Sequence, residues 1–451
     1  MKKCIICLLA VCMLASSILT GCSAKPAEPA TREPIAAVEI ESGNPAEMWA
    51  TVSDDAGTHV DSDEVNAAYL AHYFDVVLSE PVTAGAYAEA LSAIQPVLLG
   101  ETIDPDDANA VMNGLDAVRY AVIGAGQREL ASIYDAQRID NALATVSDLP
   151  EVPEADRAFL ACAIDLKMVG ADQARVLAKN LPISAADANR LLMATAEYNG
   201  TGRNMLGYTD DPATCARILN LWNSILAAND PASLCKDETL VSIGVKSLMD
   251  GITTGFNIVD SSRDGRFLPE LTINYFHDDI RHIKQLFGLL ESEGIVCKVQ
   301  VNPEFSVYQY LPEWNDDEPN PTYRVVQAAD DFYLVYTIGY FVELEFQNAG
   351  DRLSFDQLIK TYAKKSSGEE DKNLLYSSWW QPTYESYAKV DDAYHEIHDQ
   401  TITHNNYVMR VGTLESIYEQ LAPLAVDGCT AAHTTYWIND AYWRYMNGEG
   451  E

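Results

Sequence analysis

The hydrophobic period of this 451-residue chain changes once, near Asp260 to Pro269. Between about Asp61 and Asp250, apolar residues recur every three to four positions; from Thr272 onward they mostly alternate with polar ones. A helix repeats every 3.6 residues and a strand every two, so neither half can adopt the other's structure without exposing its apolar side. The chain must therefore combine a helical part with a part built on sheet.

In the first part, DPDDANAVMNGLDAVRYAV predicts a helix with Asp104 as N-cap and Pro105 in the first turn. Val111, Met112, Leu115, Val118 and Val122 then share one face. EADRAFLACAIDLKMV groups Ala155, Phe159, Cys162, Ala163 and Leu166, and DDPATCARILNLWNSIL repeats the cap-then-proline start at Asp211 and Pro212. Its stripe is Cys215, Ile218, Leu219, Trp222, Ile225 and Leu226. Caps placed just before apolar stripes are what a helix start requires.

After the switch, TINYF (272–276) predicts a strand, and Asp278 or Asp279 opens a helix carrying Ile280, Ile283, Leu286, Phe287 and Leu290 that Gly294 closes. A further strand turns Cys297, Val299 and Val301 one way and Lys298 and Gln300 the other. FSVYQYL, YRVVQ, FYLVYTIG and YFVELEF read as strands, Ser354 with Gln357 as a capping box, and NYVMRV, LESIYEQLAPL and CTAAHTTYWI as strand, helix and strand. The expected fold is an all-helical domain at 51–258 followed at 271–451 by an α+β sandwich, with helices on one face of a largely antiparallel sheet.

Ahead of both lies MKKCIICLLAVCMLASSILTGC. Lys2 and Lys3 precede an apolar run, Ile5 to Leu19, that is shorter than the ~20 residues of a spanning helix. The LTGC ending resembles the lipobox of bacterial lipoproteins. That resemblance implies a signal peptide at 1–21 and lipidation of Cys22, placing the protein on the outer face of the bacterial cytoplasmic membrane. Residues 22–50, rich in Pro, Ala and Glu, read as a disordered tether.

A repeat sits in the helical part: PVTAGAYAEAL from Pro81 and PISAADANRLL from Pro182, opening helices at Thr83 and Ser184. It resembles the S-layer homology module, in which a helix starts at a Pro-apolar-Thr motif; VPEADRAFLACAIDLKMVG and DGRFLPELT fit neighbouring parts of that module. The family's motif continues with an arginine and an acidic residue that serve wall-polymer binding. Here Ala84 and Gly85, and Ala185 and Ala186, take those places, which puts that contact in doubt. Ordinary helix capping after proline accounts for the same residues.

Net charge is −37, or −39 without Lys2 and Lys3. Such acidity argues against a nucleic-acid partner and against direct binding to anionic lipid, because both need basic patches. Cationic ligands, neutral glycans and metal ions stay compatible. Beyond Cys22 five cysteines remain, at 162, 215, 235, 297 and 429, with no CxxC pair, which excludes a disulfide-stapled scaffold.

The candidate metal ligands are His395, His398 and His404, interleaved with Glu396 and Asp399. Imidazole and carboxylate suit zinc, but on a continuous strand His395 faces away from the other two, so all three converge only across a turn. FHDDIRH (His277, Asp278, Asp279, His282) reads as helix capping, and Asp260, Ser262, Asp264 and Gly265 resemble a calcium loop that lacks its twelfth-position glutamate. Cys429 and His433 stand too far apart on a strand to form a dyad. Trp379 and Trp380, after a charged loop, are the candidate ligand-binding aromatics. No catalytic residue and no cofactor is expected, with a divalent metal as the competing reading. The functional expectation is a noncatalytic surface lipoprotein that binds a glycan, wall component or partner protein. The alternatives are an exported metal-dependent hydrolase and the substrate-binding lipoprotein of an importer.

Overall fold

The computed structural model describes residues 59, 61–96, 103–226, 237–277, 279–310, 322–362, 384–411 and 419–446. Cys22, the tether, Asp278, Trp379 and Trp380 lie outside them. The fold is mixed α and β, in two compact units, one at Gly57–Asn204 and one that includes Met205–Glu451.

The first unit contains α1 (Asp63–Phe74), α2 (Ala84–Ile94), α3 (Gly114–Gly124), α4 (Arg128–Ser132), α5 (Ala136–Ala144), α6 (Glu154–Asp165), α7 (Ala171–Leu177) and α8 (Ala185–Tyr198). Thr83 and Ser184 are N-caps, accepting from the amides of Ala86 and Asp187. The helix predicted from Asp104 starts instead at Gly114. Asp107 Oδ1 accepts the Asn109 amide in a turn, and Val111 is held in a bridge to Thr83. Asn113 bridges Pro182 in the same way, so α2, α3 and α8 all open from one small set of paired backbones. The sequence repeat showed two of these three starts.

Among the described residues the second unit is organised around ten strands: β1 (Gly207–Tyr208), β2 (Gly255–Asp260), β3 (Thr272–His277), β4 (Cys297–Tyr310), β5 (Tyr323–Ala329), β6 (Phe332–Phe346), β7 (Tyr384–Ser386), β8 (His395–His404), β9 (Tyr407–Arg410) and β10 (Thr430–Ile438). Every pairing is antiparallel. The order β4-β2-β9-β8-β10-β7-β3-β6 returns to β4, so eight strands close into a barrel, with β1 added to β4 and β5 to β6. The expected sandwich is thus a closed ring.

Most described helices of this unit cover the outside. Two of them, α9 (Pro212–Leu226) and α10 (Glu238–Met249), belong to this unit and not to the helical one that sequence periodicity assigned them to. Ile218 and Trp222 of α9 pack with α11 (Arg281–Ser292) and α12 (Ala349–Tyr362) on Ile273, Val299, Val301, Val342 and Leu344. Leu240, Ile243 and Leu248 of α10 pack on Phe256, Ile258, Phe305 and Val307. Gly244 permits this approach, since a Cβ there would lie 2.5 Å from the Phe256 ring. A stripe reveals that a helix buries one side, not which partner covers it. The helix α12 starts at Ala349, five residues before the predicted capping box at Ser354, because Asn348 Oδ1 accepts the Asp351 amide. The last described helix, α13 (Asp440–Met446), sets Tyr442 and Trp443 against Ile397, Tyr436 and Ile438, which lie on the inner face of the ring because Ile438 pairs with Glu385 and Ile397 with Tyr436.

Burying an aliphatic or aromatic side chain stabilises by ~1.5–3 kcal/mol. A fragment that starts at Leu271 lacks Ile218, Trp222, Leu240, Ile243 and Leu248, whose burial rivals the ~5–15 kcal/mol net stability of a domain. Thermal circular dichroism should therefore show a cooperative transition for Met205–Glu451 and none for residues 271–451. Equal cooperativity in both would contradict the assignment of α9 and α10.

Candidate functional site

Alternation along β4 sends Cys297, Val299, Val301, Phe305 and Val307 out to the helices. Lys298, Gln300, Asn302, Glu304 and Ser306 point the other way and are also buried, at 6% exposure or less. Both faces can be buried only because the second face is the inside of the ring. The partners opposite these residues continue the polar surface: Glu345 faces Lys298, Glu343 faces Gln300, and on the next strand Thr272 and Asn274 face Glu345 and Glu343. Glu385 of β7 then faces Asn274. An eight-stranded barrel has an interior that side chains fill or that holds one small ligand.

Two ion pairs organise this lumen. Lys298 Nζ donates to Glu345 Oε1 at 2.9 Å, with both side chains almost wholly buried. Arg410 of β9 forms two 3.0 Å hydrogen bonds with the two oxygens of Glu385 and lies over the Tyr436 ring at 4.5 Å. Since β9 and β7 are separated in the ring by β8 and β10, this bidentate pair spans the lumen. Planar guanidinium and carboxylate match in geometry, so the contact also fixes orientation.

The segment between β2 and β3 closes over one end. The Gly265 amide donates to Glu343 Oε2 at 2.8 Å, the Leu268 amide to Glu345 Oε2 at 2.7 Å, and Asn302 Nδ2 to the Asp260 carbonyl at 3.0 Å. Glycine at 265 leaves room for this approach, since a Cβ would stand 2.8 Å from that carboxylate oxygen and 2.9 Å from the Phe267 ring. The residues that resembled a calcium loop form this cap, with Asp260 accepting from Ser262 and Asp264 from the Arg266 amide. Solvent reaches this end, as Asp264 is exposed and Tyr387 is 50% exposed.

Glu343 carries the largest electrostatic burden. Loss of water, then the charges of Asp264 and Glu385, push its pKa up to about 8, against the lowering effect of the Gly265 amide. At neutral pH it is therefore mostly the neutral acid, next to a Glu385 paired with Arg410. Although half of Tyr387 is open to water, burial and the carboxylates of Glu385, Glu343 and Asp264 raise the pKa of its hydroxyl.

The three candidate metal histidines are not brought together. The strand β8 runs unbroken from His395 to His404, so no turn intervenes. At ~3.3 Å per residue, His395 and His398 are about 10 Å apart and His398 and His404 about 20 Å apart along it. Each has its own contact: His395 Nε2 with Asp440 at 3.2 Å and a stacked Trp443, His398 Nδ1 with Thr435 Oγ1 at 2.9 Å, and His404 Nδ1 with Asp237 at 2.7 Å. Among the described residues, no group of three or more histidine, cysteine, aspartate or glutamate side chains is placed to hold a metal ion. His433 accepts from Gln400 Nε2 at 2.9 Å, and Cys162, Cys215, Cys297 and Cys429 are free thiols.

Only one sequence motif produces a compact histidine pair. His277 and His282 stack at 4.5 Å and are at most 4% exposed. Asp279 supplies the local order: its amide donates to His277 Nδ1 and its side chain accepts from the Arg281 amide. Burial opposes ionisation of Asp279, but hydrogen bonds from Arg281 hold its pKa down to about 2. Burial and then the neighbouring His277 push that of His282 down.

Sequence reading passed over Asn274, Glu343, Glu345, Glu385 and Arg410. The available signal was length: β4 and β6 run 14 and 15 residues, beyond the usual 3–10, as strands that wrap a barrel do. No family model, curated protein or solved structure matches the chain.

The Glu343 shift carries a stability signature. Its folded pKa, about 8, lies above its ordinary 4.5, so its contribution is fully present below pH 4.5 and is lost as pH rises to 8. Glu343→Gln should melt like wild type at pH 4 and be more stable by about 2–4 kcal/mol at pH 8.5, less than the full 1.36 kcal/mol per unit because the side chain keeps some water contact. Thermal melts at the two values check this; an equal difference at both would contradict it.

Proposed function

We propose that this chain is a lipid-anchored protein of the bacterial cell envelope whose barrel binds a small polar ligand without turning it over. In this reading Cys22 carries the anchor and residues 22–50 hold the folded part away from the membrane on its outer face. An all-helical domain, related to S-layer homology modules and facing the wall, precedes the α+β ligand domain. The shared starts of α2, α3 and α8 at Thr83, Asn113 and Ser184 support a repeated helical module. The acidity of the chain supports a partner that is neither nucleic acid nor an anionic lipid surface.

One observation favours binding over catalysis. A carboxylate pair used in acid–base work needs a free base beside a protonated acid. Glu343 has the character of the acid, but both oxygens of Glu385 are taken by Arg410, and those of Glu345 by Lys298 and the Leu268 amide. Glu385 and Glu345, the lumen carboxylates flanking Glu343 on β7 and β6, are thus occupied, which suits recognition.

The anchoring element is tested in a bacterial host expressing the full chain. Wild type should fractionate with membranes, and Cys22→Ala should be released or accumulate as precursor. A Cys22→Ala protein that stays on the membrane with wild-type processing would overturn this placement.

A further inference from the structure

We infer that the ligand of the lumen is a small organic cation with a primary ammonium group, seated against Glu343, Asn274 and Glu385. The inference rests on the barrel being the binding domain and names the chemistry it selects. Glu385, Asn274, Glu343 and Gln300 stand directly opposite one another on β7, β3, β6 and β4. With strands ~4.8 Å apart, they make a row about 14 Å long on one face of the wall.

That row has more acceptors than donors. Asn274 is 4% exposed, and its Oδ1 has no hydrogen-bond partner. Asn302, at 6% exposure, also has an Oδ1 without one. A buried acceptor left unsatisfied costs ~1–3 kcal/mol, so a ligand that supplies a donor recovers that loss. The charged and backbone donors nearby are committed: Lys298 to Glu345, Arg410 to Glu385, and the Gly265 and Leu268 amides to Glu343 and Glu345. An ammonium group brings three N–H donors and one positive charge.

Charge selects in the same direction. The charged groups acting on Glu343 are Asp264 on the capping segment and Glu385 on β7; Tyr387 lies beside all three, Arg410 on β9 holds Glu385, and Lys298 and Glu345 lie one residue pair along. Among the described residues the excess charge there is negative, from Asp264 and, once ionised, Glu343, so an anion is repelled and an uncharged ligand leaves that repulsion in place. A metal ion would require a convergent ligand set, and among the described residues no group of three side chains provides one. Tyr387, half exposed at the open end, offers a ring face to a cation or its methylenes.

Binding must also move a proton. An ammonium ion beside Glu343 favours its carboxylate, so the acid releases its proton to solvent as the complex forms. Calorimetric titration of the mature chain with 1,4-diaminobutane, protonated throughout, should show affinity at least tenfold higher at pH 8.5 than at pH 6, with a heat that varies with buffer ionisation enthalpy. Glu343→Gln should abolish the pH dependence, and Asn274→Leu should weaken binding at least tenfold at pH 8.5. Butan-1-ol, butanoate and a neutral disaccharide are the comparison probes. Disaccharide binding without diamine binding would overturn the cation assignment and leave the barrel as a binding domain; no binding of any probe would overturn both. Diamine binding that is indifferent to pH and to both substitutions would place the ligand elsewhere and overturn the proposed site.

Discussion

The antiparallel ribbon of β4 and β6, paired from Cys297 opposite Phe346 to Tyr310 opposite Tyr333, is the contact on which the barrel depends. One edge of the ribbon receives β2 and the other receives β3, and the remaining strands join those two around the far side. Without the ribbon the same strands would form an open sheet whose edges invite pairing with other chains. With it, alternation acquires two buried destinations. Odd positions of β4 meet helices, and even positions face the lumen.

Closure is what makes the interior electrostatics costly. A buried ion pair seldom stabilises relative to apolar residues of the same size, because both charges lose their water. Lys298 with Glu345, and Arg410 with Glu385, therefore serve orientation more than stability. Arg410 with Glu385 aligns strands that the backbone ladder alone specifies less firmly, since β7 contributes only two paired residues to β3 and two to β10. Glu343 stands between these pairs, with no cation of its own among the described residues, and retaining a proton is its cheapest accommodation. In the proposed complex with a cation, that cost becomes selectivity.

Much of this architecture was legible from residue spacing. The apolar stripe of EADRAFLACAID and the strand TINYF lie where α6 and β3 are found, and Thr83, Ser184 and Gly294 mark element ends. The starts of α3 and α12 were missed because Asp104 and Ser354 are good caps in isolation, whereas Asn113 and Asn348 sit where tertiary contacts and the Asp351 amide begin the helices. The site was missed for a different reason. Lys298, Gln300, Glu343 and Glu345 look like a solvated face, since period two shows that two sides differ without showing that the polar side is enclosed. Histidines drew attention instead, although β8 spreads His395, His398 and His404 along its length.

The most direct test is the ionisation of Glu343 itself, followed through its side-chain carboxyl carbon by NMR in selectively labelled protein across pH 4 to 10. An enclosed lumen with Asp264 and Glu385 nearby predicts a midpoint of about 8. A midpoint near the ordinary 4.5 would mean that the carboxyl group is solvated, and would contradict the closed polar barrel on which the ligand assignment depends.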